Sequence, residues 1–501
     1  MASSCCWNCL SKFRPSPRPL LPSTPSPSPI ILRAPFHSTA SQHAMPTKKS
    51  NSRDTGPKFR ESRSARAPPK PKPSKPHRYT PDELKAMKTE LSISNPNAVE
   101  VPGLQALSTE NMADASSRGK MFALPPSLLT QLRALGVFKP SHSWHLFKKP
   151  STLVREETLE LGNLIRGIGA QEGELKGKSV KRIVTGIRGT GKSTHLMQAM
   201  TMALLSDWIV VNVPDGRDYT CGSTAYAPVA GTNPVQYTQK NASASLLDRI
   251  VKANKDILSK LHISQNLGTL GKAVPPSSTL HDLASFGAAR PDNAWMVFQA
   301  LWKELTAIAP AADAEGIKPF QPRPPMVVAV DGLAHWMTNT AYRNPDYEPI
   351  HAHDMTLVRH FLTVLSSPSS LPNGGIALFA TSTCNNPRAP ALDVSIKQLS
   401  FRQAGVDPTS PEFPLPDPYA KLDSRVLSFF NDANNSGSGL RVQELKGITK
   451  DDTRALLEYY ALSGLLRERI SEEVVGEKWT LAGGGVIGEL ERFGKRIRDY
   501  A

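Results

Sequence analysis

The segment Gly186-Ile187-Arg188-Gly189-Thr190-Gly191-Lys192-Ser193 has the G-x-x-x-x-G-K-[ST] pattern of a phosphate-binding loop, or P-loop. An apolar run at residues 182–185 precedes it, and residues 194–205, rich in Leu, Met and Ala, follow it. This order predicts a strand, a glycine-rich loop and a helix. The glycines allow successive backbone N–H groups to point at a phosphate, and the positive end of the helix adds to that field. The segment therefore predicts that the chain binds a nucleoside diphosphate or triphosphate.

Two side chains of the loop have predicted roles at the phosphates. Lys192 is expected to reach the β- and γ-phosphates, and the Ser193 hydroxyl is expected to bind Mg²⁺. A chance match in a glycine-bearing turn is the alternative, and the flanking strand and helix patterns argue against it.

Polar residues end two further apolar runs, which predict buried strands. Residues 326–331 read Met-Val-Val-Ala-Val-Asp, so Asp331 ends a run typical of a buried parallel strand and is placed to bind Mg²⁺. A capping role is the alternative for this carboxylate. Residues 376–380 read Ile-Ala-Leu-Phe-Ala and lead into Thr381. Because parallel α/β sheets bind ligands at the carboxyl ends of their strands, we expect Lys192, Asp331 and Thr381 to lie together.

Arg155, upstream of the loop, is predicted to help frame the base of the nucleotide. The complete set of predicted nucleotide-binding residues is Gly186, Ile187, Arg188, Gly189, Thr190, Gly191, Lys192, Ser193, Thr194, Asp331, Thr381 and Arg155. The predicted Mg²⁺ ligands are Ser193 and Asp331.

The positive charge is concentrated at the start of the chain. The 501 residues carry a net charge of +16, and residues 1–80 hold 15 Lys or Arg against Asp54 and Glu61, with 15 of the 44 prolines. Such a segment buries too little apolar surface to offset its ordering entropy, so we expect it to be disordered. No apolar run of the sequence approaches the roughly 20 residues of a bilayer-spanning helix, which predicts a chain with no membrane span.

Residues 1–40 have the composition of an organelle transit peptide, because Arg and Ser are frequent and no acidic residue precedes Asp54. Residues 33–40 resemble the arginine-anchored cleavage sites of fungal mitochondrial presequences, and a solvated basic tail is the alternative. Residues 41–118 are predicted to form a basic, proline-rich arm. The arm is either a plain linker or a segment that lies on nucleic acid, where Lys and Arg gain affinity by releasing counterions.

Two folded domains are predicted after the arm. Residues 119–415 contain the P-loop and the predicted strands, and we expect them to form the parallel α/β domain. Residues 416–501 are expected to form a separate, mostly helical domain, in which Thr449 caps a helix that stops near Gly464. Residues 483–492 have the pattern of a glycine loop that opens a helix. That loop is predicted to be a lid that contacts the nucleotide or an adjoining domain, and a simple turn is the alternative.

Two expected signals are missing from the sequence. Gly332 follows Asp331 at the place where hydrolytic AAA-like P-loop enzymes commonly have a glutamate that activates water. Without that side chain, we expect at most slow hydrolysis of the bound nucleotide. The Asn-Lys-x-Asp signal of Ras-like guanine recognition is also missing, since residues 254–256 read Asn-Lys-Asp. The spacing therefore leaves guanine and adenine open.

Four segments resemble the death-associated-protein family of mitochondrial small-subunit ribosomal proteins, and the resemblance covers residues 120–495. The segments are Phe122-Ala-Leu-Pro with Gln131-Leu-Arg-Ala-Leu-Gly, Leu153-Val-Arg-Glu-Glu-Thr, the P-loop, and Gly488-Glu-Leu-Glu-Arg492. The dipeptide Asp331-Gly332 and the Tyr459-Tyr460-Ala461 run fit the fungal branch of that family.

The resemblance implies an α/β fold with an AAA-like P-loop NTPase domain and a C-terminal helical, winged-helix-like lid. It implies GTP or GDP with Mg²⁺ as ligands. It also implies mitochondrial small-subunit rRNA and ribosomal proteins as partners, in the head of the subunit near the subunit interface. The alternative is a free mitochondrial AAA-like or signalling NTPase that works by turnover. The basic arm and the missing glutamate favour the structural ribosomal protein.

We expect import into the mitochondrial matrix with removal of roughly the first 35 to 45 residues, because this stretch has the basic, serine-rich composition of a presequence. N-terminal sequencing of the mature protein from mitochondria measures the cleavage position. Recovery of the chain with Met1 or Ala2 at its N-terminus would contradict the prediction.

Overall fold

The computed structural model describes residues 93–139, 142–170, 172–275, 277–310, 320–382 and 387–496. The transit peptide predicted for residues 1–40, and the predicted arm up to residue 92, lie outside this part of the chain.

Eleven strands lie in the described residues. They are β1 (Met121–Ala123), β2 (Ser151–Leu153), β3 (Ser179–Thr185), β4 (Ile209–Val213), β5 (Ala227–Val229), β6 (Gln236–Thr238), β7 (Met326–Asp331), β8 (Asn339–Arg343), β9 (Pro349–His351), β10 (Gly375–Ala380) and β11 (Leu440–Glu444).

Thirteen α-helices lie in the same ranges, and none of them has the length and apolar character needed to cross a bilayer. They are α1 (Leu129–Ala134), α2 (Glu156–Gly169), α3 (Lys192–Leu205), α4 (Lys240–Ala253), α5 (Lys255–Leu258), α6 (Leu280–Ala289), α7 (Ala294–Leu305), α8 (Thr356–Ser366), α9 (Pro390–Gln403), α10 (Ser424–Asn435), α11 (Lys450–Leu462), α12 (Glu472–Leu481) and α13 (Ile487–Arg496).

A five-stranded parallel sheet in the order β11-β3-β10-β7-β4 forms the centre of the fold. The strand that leads into the P-loop, β3, is therefore separated by β10 from β7, which ends at Asp331. Every residue of β4, β7 and β10 is buried, as the near-continuous apolar runs of these strands require in a sheet that is covered on both faces. The predicted parallel α/β sheet is confirmed.

Alternate residues along each strand pack into different cores on the two faces of the sheet. On one face, Val328 and Phe379 join a core that includes Leu246 of α4 and Phe298 of α7. On the other face, residues such as Val327 join a core that includes side chains of α2 and α3. The period of two follows from the alternation of Cβ directions along a strand. Helices on both faces thus hold the carboxyl end of the sheet in place.

Residues 93–118 are part of the folded unit, which differs from the linker predicted for residues 41–118. Ile93, Leu107 and Met112 are buried in the same core as α2 and α3. Backbone packing is close here, because a Cβ at Gly162 of α2 would lie 2.1 Å from the Met112 carbonyl oxygen. Burial of these apolar side chains offsets the entropy cost of ordering residues 93–118.

The residues after 416 are mostly helical, as predicted, but they are not separate from the sheet. β11 pairs in parallel with β3, with Val442 opposite Ile183. The predicted cap is present, since Asp452 donates its backbone N–H to the Thr449 hydroxyl at 3.2 Å and α11 follows directly. Leu440–Glu444 has no strongly apolar pattern, which is why its place in the sheet was missed.

The fully buried ion pair between Glu304 and Arg323 joins α7 to the segment before β7 at 2.7 Å, and neither side chain is exposed to solvent. Glu304 also accepts hydrogen bonds from the Ser264 N–H and hydroxyl, both at 2.8 Å. We expect Arg323→Met to lower the free energy of unfolding by about 3 kcal/mol or more, because it leaves a buried carboxylate without its counter-charge.

The matched control is Arg425→Met, which removes a half-exposed arginine from its pair with Asp354. Such pairs typically contribute about 0.2–1 kcal/mol. Denaturant unfolding of the purified variants measures both effects. Equal losses from the two substitutions would contradict the role given to the buried pair.

Candidate functional site

The P-loop joins β3 to α3 as the motif predicts. All three of its glycines have positive φ, at +141° for Gly186, +88° for Gly189 and +90° for Gly191. This is the left-handed region that favours glycine, because a Cβ would crowd the backbone there. At Gly186 a Cβ would also lie 2.4 Å from the Leu445 carbonyl oxygen, just after β11. The glycines are therefore needed for both the curl of the loop and its packing.

Lys192 is the first residue of α3, and its ammonium lies over the loop. It donates to the carbonyl oxygens of Gly186 and Ile187, at 2.7 and 2.9 Å. The same Ile187 carbonyl accepts from the Thr190 hydroxyl at 2.9 Å, so the curl is closed by side chains from within the motif. The ammonium thus lies beside the backbone that would surround a phosphate.

Ser193 and Asp331, the predicted Mg²⁺ ligands, are in direct contact. The Ser193 hydroxyl donates to Asp331 Oδ2 at 2.6 Å, although the two residues are 138 positions apart. Register explains the contact, because Ala380 of β10 lies level with both Val184 of β3 and Asp331 of β7. A hydroxyl and a carboxylate are oxygen ligands of the kind that Mg²⁺ prefers. The two side chains fit the predicted metal.

Thr381 follows β10 and lies against the strand that leads into the loop. Its backbone N–H donates to the Val184 carbonyl at 2.9 Å. Together with Lys192, Ser193 and Asp331, Thr381 lines a cavity of about 430 Å³, here called the phosphate cavity. The structure thus brings the three predicted strand-end residues to one place.

Basic side chains outnumber acidic ones around the phosphate cavity. The basic residues that line it are Lys139, Arg188, Lys192, Arg217 and Arg492, and the acidic residues are Asp215, Asp331, Glu489 and Glu491. Of these residues, only Arg188, Lys192 and Asp331 belong to the predicted nucleotide-binding set. An excess of positive charge suits a polyanionic ligand.

No pattern in the sequence predicts a role for Lys139 at this site. Its ammonium forms an ion pair with Asp331 Oδ2, the oxygen that also accepts from Ser193. Lys139 lies in a short segment after α1, 192 positions before Asp331. It follows no motif or periodic pattern, and only the folded chain shows that it reaches the end of β7.

Arg155, which is predicted to frame the base, contacts the P-loop at Thr190 and does not line the phosphate cavity. Arg155 is buried, donates from Nη1 to the Thr190 carbonyl at 3.1 Å, and pairs through Nε with Glu157 at 3.0 Å. Burial lowers the pKa of its guanidinium, and the charge of Glu157 opposes that shift. Arg155 therefore holds the P-loop backbone in place through the Thr190 carbonyl.

A second cavity of about 150 Å³, here called the aromatic cavity, adjoins the first, and Gly191, Thr194 and Arg155 are among its lining residues. Aromatic side chains are frequent in its wall, namely Trp144, Phe147, Tyr459 and Tyr460. Burial lowers the pKa of two histidines that also line it, to about 4 for His142 and about 3 for His195. At neutral pH both rings are uncharged, so this cavity suits a flat, uncharged group better than a phosphate.

The glycine loop at residues 483–492 lies on the P-loop, which favours the predicted lid over a simple turn. Gly488 donates its backbone N–H to the Gly189 carbonyl at 2.9 Å. A Cβ at Gly488 would lie 3.0 Å from Gly189 Cα, so the backbones meet with no room for a side chain. Ile487 lines both cavities, and Arg492 pairs with Glu489 at 2.6 Å on the first turns of α13.

Gly332 has a conformational reason for being a glycine. Its φ is +90°, and its N–H donates to the Ala380 carbonyl at 3.0 Å. A Cβ there would lie 3.2 Å from the Gly216 nitrogen and 3.4 Å from Asp215 Oδ1. The sharp turn after β7 is therefore built without the side chain that would orient water.

Comparison with known proteins adds independent findings. A family model described as mitochondrial ribosomal death-associated protein 3 matches residues 152–493. A protein of Neurospora crassa named small ribosomal subunit protein mS29 is 39% identical over 413 residues, which cover 82% of each chain. Proteins of the same name are 23% identical in Schizosaccharomyces pombe, over 74% of this chain and 70% of that one, and 21% identical in mouse, over 47% and 54%.

Proposed function

Because the chain belongs to the family of mitochondrial ribosomal death-associated protein 3, we propose that it is a structural constituent of the mitochondrial small ribosomal subunit that binds a guanine nucleotide with Mg²⁺ through its P-loop. Its place is then the mitochondrial matrix, and its partners are the small-subunit rRNA and neighbouring ribosomal proteins. The relatives named small ribosomal subunit protein mS29 support the ribosomal assignment. The basic, proline-rich composition of residues 41–80 suits contact with rRNA.

The contact between Ser193 and Asp331 carries the nucleotide part of the proposal. A chance glycine-rich turn would have no reason to bring its serine to a carboxylate at the end of a strand two places away in the sheet. The contact of Gly488 with Gly189 supports the same assignment, since it brings the predicted lid onto the P-loop.

Four features of the chain bind and orient the ligand in this proposal. The N–H groups of the P-loop and the N-terminus of α3 surround the phosphates, and Lys192 moves from the loop carbonyls to a phosphate oxygen. Ser193 and Asp331 hold Mg²⁺, which when bound supplies positive charge to the phosphate oxygens. The lid covers the loop, and Gly488 connects the two.

The aromatic cavity is the proposed place of the base. Gly191 and Thr194 line both this cavity and the phosphate cavity, and the wall of the aromatic cavity includes Tyr459 and Tyr460 of α11. Aromatic faces stack on a flat base. The preference for guanine comes from the family and not from this geometry.

A nucleotide held by the P-loop on one side and the lid on the other stabilises the folded state. We expect GDP with Mg²⁺ at a thousandfold excess over Kd to stabilise the wild-type chain by about 4 kcal/mol. Lys192→Ala should abolish the thermal shift and lower the amount of the chain that sediments with mitochondrial small subunits. ADP in place of GDP tests the guanine preference in the same melting assay.

Lys252→Ala is the matched control, since Lys252 pairs with Asp248 on the exposed face of α4. It should keep the full shift on GDP addition. If Lys192→Ala lost the nucleotide but melted and assembled like the wild type, the structural role of the nucleotide would be wrong.

The alternative function, a free NTPase that works by turnover, draws support from Arg217 and Arg492, which line the phosphate cavity. Gly332 argues against it. Loss of a general base typically costs about 10² to 10⁴ in rate, so we expect turnover far below the roughly 1–100 s⁻¹ of kinases. Thr381 and Ser382 are the neighbouring hydroxyls that could polarise a water, which is why slow activity remains compatible with the proposal.

Multiple-turnover phosphate release from GTP, by the purified chain and by intact small subunits, measures this rate. Lys192→Ala provides the blank. A rate above about 1 s⁻¹ that disappears in the blank would favour the NTPase over the structural protein.

A further inference from the structure

The carboxylate that is proposed to bind Mg²⁺ already has a cation of the chain on it. Asp331 is nearly buried, with 9% of its side chain exposed, and Lys139 is 29% exposed. Both Lys139 and Ser193 donate to the same oxygen, Oδ2. From this geometry, we propose that the Lys139 ammonium takes the place of Mg²⁺ at Asp331 when the metal is absent, so that the chain retains its nucleotide without Mg²⁺.

The segment that carries Lys139 is held firmly by the fold. Asn212 near the end of β4 donates from Nδ2 to the Leu135 carbonyl at 2.8 Å. Gly136 has φ of +72°, and a Cβ there would lie 3.2 Å from Pro214 Cγ. Phe138 is buried, with its ring 5.7 Å from that of Trp144. Contacts of the residues just before Lys139 thus place its backbone beside the carboxyl end of the sheet.

The local charges favour an ammonium at this position. His142, which accepts from the Lys139 N–H through Nδ1 at 3.5 Å, has its pKa lowered to about 4 by burial and by the Lys139 charge. It is therefore neutral at physiological pH and does not compete for Asp331. An ammonium has three donors, so one can stay on Asp331 while another reaches a phosphate oxygen in the same cavity.

Mg²⁺ would have to displace Lys139 from Asp331 to bind there. A partly buried ion pair is screened less by water than a surface pair, so the displacement has a larger cost than at an exposed site. Mg²⁺ also gives up its own water reluctantly. The tethered lysine is present at a high effective concentration, whereas the metal must come from solution. Lys139 therefore lowers the affinity for Mg²⁺ and replaces part of its charge.

This inference rests on the proposed nucleotide binding and deepens it. Lys139 also precedes residues 152–493, which the family model matches. Retention of the ligand without metal is what a lasting structural role needs, because a nucleotide that left whenever Mg²⁺ was scarce would not stabilise an assembled particle.

Equilibrium titration of fluorescently labelled GDP into the purified full chain, in excess Mg²⁺ and in excess EDTA, tests the inference. For the wild type we expect EDTA to weaken binding less than about threefold. For Lys139→Met we expect EDTA to weaken it about tenfold or more, as loss of one charge-assisted contact predicts. Lys139→Arg keeps the charge and should behave like the wild type. Lys252→Met, the same substitution at an exposed pair, is the control.

A second readout follows the metal itself. Titration of Mg²⁺ into the chain with GDP present should reach its midpoint at lower Mg²⁺ in Lys139→Met than in the wild type, because nothing then competes for Asp331. Equal effects of EDTA on the wild type and Lys139→Met would overturn the inference and leave the proposed nucleotide binding intact. Loss of GDP binding by Lys139→Met in both buffers would also overturn it, since Lys139 would then be a simple phosphate ligand. Failure of the wild type to bind GDP in either buffer would overturn the proposed function itself.

Discussion

Close approach of three backbone segments at the P-loop is the constraint on which the rest of this structure depends. The chain after β11 meets the loop at Gly186, where a Cβ would lie 2.4 Å from the Leu445 carbonyl oxygen. The lid meets it at Gly189, whose carbonyl accepts from Gly488. Side chains at these glycines would push apart segments that are about 260 to 300 positions distant in sequence, so the loop that surrounds a phosphate also joins the C-terminal residues to the sheet. A ligand at this loop would therefore act on the stability of the whole folded unit.

Local sequence patterns were sufficient to predict the elements that short stretches of residues determine, namely the buried strands and the P-loop. Apolar runs that end in Asp331 and Thr381 predicted two buried parallel strands, because burial on both faces requires such runs. The P-loop motif predicted its own strand, loop and helix. The place of β11 beside β3 could not be predicted in this way, since Leu440–Glu444 is short and mixed in polarity and is held by pairing with a distant strand. Lys139 was missed for the same reason, because its partner lies 192 positions away.

The charges of the site agree with tight retention of a ligand more than with rapid chemistry. Asp331 has a hydrogen bond from Ser193 and an ion pair with Lys139, so the carboxylate proposed to bind Mg²⁺ is neutralised within the chain. The next residue, Gly332, has φ of +90°, and a side chain there would be strained and would crowd the Gly216 nitrogen. The first feature reduces the need for a cation from solvent at Asp331. The second leaves position 332 without a side chain that could orient an attacking water. A nucleotide in such a site would serve as a stable connection between loop and lid.

The central claim is that this chain holds a guanine nucleotide as a lasting part of the mitochondrial small ribosomal subunit. The most direct measurement is the nucleotide content of small subunits isolated from mitochondria, by extraction and chromatography against the amount of this chain. The account predicts about one guanine nucleotide per copy of the chain, retained through purification. Small subunits that contain this chain with no bound nucleotide, or with adenine nucleotide in its place, would contradict it.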